Sequence, residues 1–349
     1  VEYISKCPRC TRRKAACQLA PLQPIYATRP LELVHMDFLQ LEPSKGNIQN
    51  ILVVTDHFTR YAQAYPCKTQ TAQTVAKTLW ENFITHYGFP EKFISDQGRN
   101  FESHLIADLC KLAKVEKVRT TPYHPMGNGQ CERFNSTLLN MLGTLPTEEK
   151  ANWKLHVSSM THAYNCTANA STGFAPYYLL FGRHPRLPID VELGIHRGGL
   201  GNSSTNQYVK RLQKRLQFAH SKARALANKE SLRHKKLYDL RSRAASLSPN
   251  DIVLVKQVAF KGKHKLEDRW EDQEYIVLEQ PYTDIPVYKV QNLDTGNIRI
   301  LHRNLLLPML SSMDTDSGIE LGDETDSSDE ESGLPLAAQA DGIESPKSS

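Results

Sequence analysis

Three carboxylates, Asp37, Asp96 and Glu132, constrain the folding of this chain more than any other feature. There are 58 residues between the first two and 35 between the second and third. Asp37 lies within the apolar run Leu31-Glu-Leu-Val-His-Met-Asp-Phe-Leu39, which reads as a buried strand. Asp96 closes a second short run, Lys92-Phe-Ile-Ser-Asp96, and the turn Gln97-Gly98 follows at once. Glu132 stands near the start of a helix, after the Pro- and Gly-bearing loop Thr121–Gly129. Two strand carboxylates and one helix carboxylate converge only in a folded site. Converging carboxylates repel one another, and a divalent cation is the usual relief.

The surrounding pattern is α/β. Residues 31–39, 50–55 and 60–66 read as three strands joined by short turns. Ala72, Val75, Ala76, Leu79, Phe83 and Tyr87 form one apolar helical stripe, stopped by Gly88 and Pro90. A strand ending at Asp96, a helix over Leu105–Ala113 and a strand over Lys117–Thr120 complete a sheet of five strands. In the helix carrying Glu132, Phe134, Leu138, Met141 and Leu145 share one face. Asn128, Glu132, Asn135 and Ser136 fall on the opposite, polar face. Taken alone, Glu132 would pass for a solvated residue of an amphipathic helix; the loop before it and the other two acids argue for a site.

Charge divides the chain. Residues 311–349 hold 11 Asp+Glu and one Lys, a net of −10, so the overall +5 leaves +15 on residues 1–310. A basic folded part points to a polyanionic partner such as nucleic acid. Seven scattered cysteines do not make a secreted disulfide framework, and no run of 18 apolar residues occurs. The chain reads as not secreted and without a membrane partner. It does not begin with Met, which is read as a fragment or processed product.

Beyond the α/β part, Gly194–Asn206 is a linker and Tyr208–Arg243 a basic helix with 12 Lys+Arg against two acids. Val209, Leu212, Leu216, Ala219, Ala223 and Leu226 give this helix a narrow apolar stripe. Two readings stay open: a solvated helix with one packed seam, or a helix that packs on a partner and tracks phosphates through residues such as Lys210, Arg211, Lys214 and Arg215. Asp251–Lys256, Glu274–Glu279, Val287–Asn292 and Asn297–His302 read as strands of a small β-barrel, with Asp294-Thr-Gly296 as a hairpin turn. The Ser-, Asp- and Glu-rich tail reads as disordered. The organisation expected is thus a short Cys-bearing remnant and linker (1–28), a core (29–193), a linker and basic helix (194–247), a small barrel (248–308) and an acidic tail (309–349).

Four stretches resemble one family: His35-Met-Asp-Phe-Leu39; Ile94-Ser-Asp-Gln-Gly-Arg-Asn-Phe101; Thr121-Pro-Tyr-His-Pro-Met-Gly-Asn-Gly-Gln-Cys-Glu-Arg133; and Ser171-Thr-Gly-Phe-Ala-Pro176 through Phe181-Gly-Arg-His-Pro-Arg-Leu-Pro188. The chain resembles the integrases of retroviruses and LTR retrotransposons, most closely those of the gypsy type. The resemblance implies an RNase H-like core with a five-stranded mixed sheet. Asp37, Asp96 and Glu132 would hold two Mg²⁺ (or Mn²⁺) ions, about 3.5–4 Å apart in two-metal sites. The activity implied is that of a polynucleotidyl transferase with endonuclease activity, trimming a DNA 3′ end and joining it to target DNA. Implied partners are double-stranded DNA, further copies of the chain, and chromatin or host proteins at the barrel and tail. The implied location is the nucleus after a cytoplasmic particle stage. His124, Asn128, Gln130 and Asn135 are candidate contacts to the DNA end, or else loop and capping residues.

Two departures from the family pattern stand out. Cys7-Pro-Arg-Cys10 matches half of an N-terminal zinc module, but no His pair precedes it, and a closed structural zinc site needs four ligands. Zn²⁺ is therefore expected only if an upstream His pair exists. After Trp270 the family's Gly-Pro-aromatic step is replaced by Glu-Asp-Gln-Glu-Tyr275. A host-adopted derivative that binds DNA or chromatin without catalysis is the alternative; the intact acid triad speaks against it. A ribonuclease of the same fold would need a four-carboxylate site with other spacing.

Overall fold

Strand β1 (Leu33–Ser44) lies between two cores. Its even-numbered Val34 and Met36 are fully buried on one side, with Leu52 and Val54 of β2 (Ile48–Asp56). Its odd-numbered Leu39 and Leu41 turn to the other side, where Ile51 and Val53 of β2 meet Ala62 and Ala64 of β3 (Ala62–Cys67). The computed structural model describes residues 8–14, 19–119, 129–194, 205–240, 242, 246–257, 268–282 and 285–309. The expectations placed on Cys7, His124, Asn128 and the acidic tail fall outside those residues.

With β4 (Lys92–Ser95) and β5 (Glu116–Arg119) the first sheet runs β3-β2-β1-β4-β5. The β1–β2 and β2–β3 pairs are antiparallel because short turns join them; β1–β4 and β4–β5 are parallel because helices carry the chain back. The returning helix starts at Ala72, capped by the Thr71 hydroxyl accepting from the Thr74 amide, and passes through a π-helical stretch, Leu79–Ile84. Every residue of its expected apolar stripe packs on the first core, and the π stretch adds Ile84.

On the other side, the Gly129–Gly143 helix buries Cys131, Phe134, Leu138 and Leu142 against β2 and β3. The expected seam included Met141; the structure places Leu142 there instead, since the four-residue ridge 134, 138, 142 follows the groove of the sheet. Asn165, from the Val157–Cys166 helix, bonds both backbone groups of Ala62 and closes this layer.

A second, antiparallel sheet runs β10-β6-β7-β8-β9, from β6 (Ile252–Lys256), β7 (Trp270–Glu279), β8 (Val287–Asn292), β9 (Ile298–His302) and β10 (Leu306–Pro308). Gly296, at φ +71°, donates its amide to the Asn292 carbonyl in the expected β8–β9 turn. Strand β10 and the first part of β7 were not legible as strands, being three residues long and acidic, respectively.

The long helix Thr205–Asp239 buries Ala219 and Ala223 against Leu179. Gly182 permits this approach: at φ +69°, an added Cβ would lie 2.6 Å from Leu212 Cδ1. Within the expected N-terminal linker, residues 19–28 run as a strap. Ala20 N donates to Asn304 Oδ1, Leu22 N to Asp239 Oδ1, and Lys235 Nζ to the Leu22 carbonyl. These bonds join the strap to the long helix and the second sheet, and the described residues up to Met309 hold together as one unit. Among the described residues no helix is long and apolar enough to cross a membrane.

Candidate active site

Asp37 sits on the odd-numbered face of β1, looking toward the Gly129–Gly143 helix. Its Oδ1 accepts from the Phe38 amide (2.8 Å) and its Oδ2 from Asn135 Nδ2 (3.0 Å). The parallel pairing of β1 with β4 ends at His35↔Ile94. Asp37 and Asp96 each lie two residues beyond that last pair, Asp96 just past the end of β4. Sheet register, which no sequence spacing specifies, is what carries these two acids to the same end of the sheet.

Asp96 is exposed, and its Oδ1 accepts from Gly98 N at 3.0 Å. A Cβ at position 98 would fall 2.5 Å from Asn100 Oδ1 and 3.0 Å from Asp96 Oδ1, so glycine is what lets this turn close on the carboxylate. Glu132 occupies the first turn of its helix, exposed, between buried Cys131 and Phe134.

Electrostatics tie the three acids together. Burial pushes the Asp37 carboxyl from 3.8 up to about 6, and the negative charges of Asp96 and Glu132 push the same way; the hydrogen bonds from Phe38 and Asn135 oppose them. Partial burial also lifts Glu132, against the pull of Arg133. No ion pair among the described residues engages any of the three. An all-oxygen, anionic donor set without a cationic partner fits a hard divalent ion such as Mg²⁺. The side chains do not close, however: among the described residues no group of three His, Cys, Asp or Glu reaches ligand spacing.

Gln130 and Asn135 require a correction. Both were placed with the exposed polar residues of the loop and helix, yet each is only 8% exposed. Asn135 is spent on Asp37, and its Oδ1 is buried without a partner. Gln130 Nε2 donates to the Asp56 carbonyl (2.8 Å), while its Oε1 accepts from the Arg60 guanidinium. A helical wheel treats an amide as an outward residue; here the helix faces a strand whose inward group is a carboxylate, so the amide turns in. Asp56 is a turn residue: its Oδ2 accepts from the Thr59 amide and hydroxyl, and its Oδ1 from the Leu31 amide.

Arg60 was not legible as a site-adjacent residue, since nothing in its local pattern signals burial. Lys210, Arg211, Lys214 and Arg215 are all exposed on the long helix. Cys10 is half-exposed on a short helix, Pro8–Lys14, that is joined to β7 by Arg12 Nη1 donating to Asp272 Oδ1 (2.7 Å).

Residues 27–125 match the family model described as integrase core domain. The chain carries an integrase core domain. The matched span includes Asp37 and Asp96 and stops short of Glu132. The integrase core and its flanks are 28% identical over 257 residues (73% of this chain, 19% of the relative) to the retrovirus-related Pol polyprotein from transposon 412 of Drosophila melanogaster. They are 30% identical over 257 residues (74% and 21%) to the Gag-Pol polyprotein of avian reticuloendotheliosis virus. The chain thus spans about a fifth of the length of these curated relatives. Among solved structures, the simian T-cell lymphotropic virus intasome in complex with PP2A regulatory subunit B56 gamma is similar at TM-score 0.53 and 15% identity, covering 89% of this chain and 90% of that one. That likeness concerns the fold.

Proposed function

We propose that this chain is a retroelement integrase: a polynucleotidyl transferase that trims the 3′ end of element DNA and joins that end to target DNA. The observation that carries the reading is Asp37, half-buried on β1 of an integrase core, oriented by Phe38 and Asn135, and close enough to Asp96 and Glu132 to feel their charge. In this reading Asp37, Asp96 and Glu132 hold Mg²⁺ or Mn²⁺. Such ions supply Lewis-acid stabilisation and a nucleophile at neutral pH.

The chain's own residues have separable parts. Asn135 fixes the direction of Asp37 Oδ2 from behind, as a positioning residue. The Gly98 amide does the same for Asp96. Asp37 must give up its proton to serve as a ligand, so metal affinity falls as pH drops through about 6. Lys210, Arg211, Lys214 and Arg215 contact DNA phosphates without reading bases. The second sheet, read as a small barrel, adds DNA or chromatin contact. Cys7 and Cys10 contribute to a zinc site only with an upstream His pair. Joining two ends at one target calls for a homo-multimer, and the site of action is the nucleus. The open spacing of the three acids favours one second reading, a host-adopted protein that binds DNA without catalysis.

The test is resolution of a branched DNA oligonucleotide with Mg²⁺ or Mn²⁺, comparing the chain with Glu132→Gln. Metal-dependent resolution in the former, reduced at least about 100-fold in the latter, is expected. No resolution alongside retained, salt-sensitive DNA binding would overturn the integrase reading in favour of the second.

A further inference from the structure

A shallow, partly open cleft whose lining does not include the acid triad lies between the strap at residues 25–27, the β2–β3 turn and the long helix. His57, Phe58 and Arg60 line it from the turn; Arg224, Asn228 and Ser231 line it from the helix. None of its lining residues is acidic.

Arg60 is the unusual member. Its backbone is held at φ +67°, the residue is half-buried, and its Nε is buried with no partner. Its Nη1 donates to the neutral Gln130 amide oxygen. The nearby Asp56 carboxylate offsets part of the Arg60 charge but is not hydrogen-bonded to it; its oxygens accept from Leu31 and Thr59. Arg133 adds a second positive charge close by. Across the cleft, Arg224 gives one bond, to the Thr28 carbonyl at 3.1 Å, and pairs with no carboxylate among the described residues. Burial, and after it Arg60, push the His57 imidazole well below its usual range; its Nε2 donates to the Ile25 carbonyl (3.1 Å) and its Nδ1 faces His35 Nε2 (2.9 Å).

A guanidinium taken partly out of water with an unbonded N–H is costly, and an anion with several acceptors relieves it. Guanidinium forks favour carboxylate and phosphate geometry. Donors arriving from two walls, two arginines with an amide and a hydroxyl, suit a tetrahedral oxyanion better than a planar carboxylate. We propose that this cleft binds a phosphate group, held between Arg60 and Arg224, at a site separate from Asp37, Asp96 and Glu132. Two sources share that chemistry: a backbone phosphodiester of bound DNA, or a free polyphosphate.

The test is calorimetric titration of the full chain with tripolyphosphate, at fixed ionic strength and without divalent metal. One saturable site is expected. Arg224→Gln, an exposed position that should leave the fold intact, should weaken it at least tenfold. Lys229→Gln, which removes the same charge nearby on the same helix outside the cleft, should change it less than twofold. Arg60→Gln should lose binding as well, its fold checked by circular dichroism; if it does not fold, the Arg224 comparison decides. A labelled duplex separates the sources. Displacement by tripolyphosphate, with weaker duplex binding in Arg224→Gln, identifies a DNA phosphate; independent binding identifies a free polyphosphate. Absence of saturable binding, or equal affinity in Arg224→Gln, overturns the proposal. Because no metal is present, the result stands apart from that of the branched-DNA assay.

Discussion

Replacing Asp37 by Asn should make the protein more stable while abolishing its chemistry. The carboxyl is lifted from 3.8 to about 6, chiefly by burial. A group whose folded pKa lies above its unfolded value binds its proton more tightly when folded. Its stabilising contribution is full below the unfolded value and is lost as pH rises through the folded one. The ionised side chain therefore costs up to about 3 kcal/mol above pH 6, at 1.36 kcal/mol per unit. Asparagine has the same shape and carries no charge. Its Oδ1 can keep the Phe38 amide, and its Nδ2 can donate to Asn135 if that amide flips, using the Oδ1 that now has no partner. The expected gain is about 1–3 kcal/mol at pH 8, shrinking toward zero below pH 4. Urea unfolding of both proteins across that range, without divalent metal, measures it. Mg²⁺ should raise the wild-type midpoint and leave the variant unmoved. A variant less stable than wild type at pH 8, or a difference independent of pH, would refute the reasoning.

Two further outcomes follow from the geometry of the long helix. Gly182→Ala puts a methyl 2.6 Å from Leu212 Cδ1 at a left-handed backbone position and should cost about 1–3 kcal/mol in a thermal melt. Changing Lys210, Arg211, Lys214 and Arg215 together to Gln should weaken duplex binding and reduce the log–log salt slope by about 3–4, at roughly 0.9 for each phosphate no longer neutralised; an unchanged slope would take these residues out of the DNA interface.

Much of the fold was legible because it rests on periodicity. The stripe from Ala72 to Tyr87 and the alternation in β1 each report a face that must leave water, and both reappear in the cores. Strand β10 and the start of β7 escaped because three residues carry no period and an acidic run hides a strand whose faces are not both buried. The strap escaped for another reason: residues 19–28 have no regular period, and it is hydrogen bonds to distant residues such as Asn304 and Asp239 that order them.

The same division holds at the site. Local sequence alone determined that Asp37 would ride a buried strand, that Asp96 would end one before a turn, and that Glu132 would open a helix, because each depends on neighbours within a few residues. Tertiary structure decided the rest. Parallel pairing of β1 with β4 carried Asp37 and Asp96 to the same end of the sheet, packing turned Asn135 inward to hold Asp37, and the strap walled Arg60 and Arg224 into one cleft. Register, inward-turned amides and an unbonded buried N–H arise between segments far apart in the chain, where no local pattern reaches.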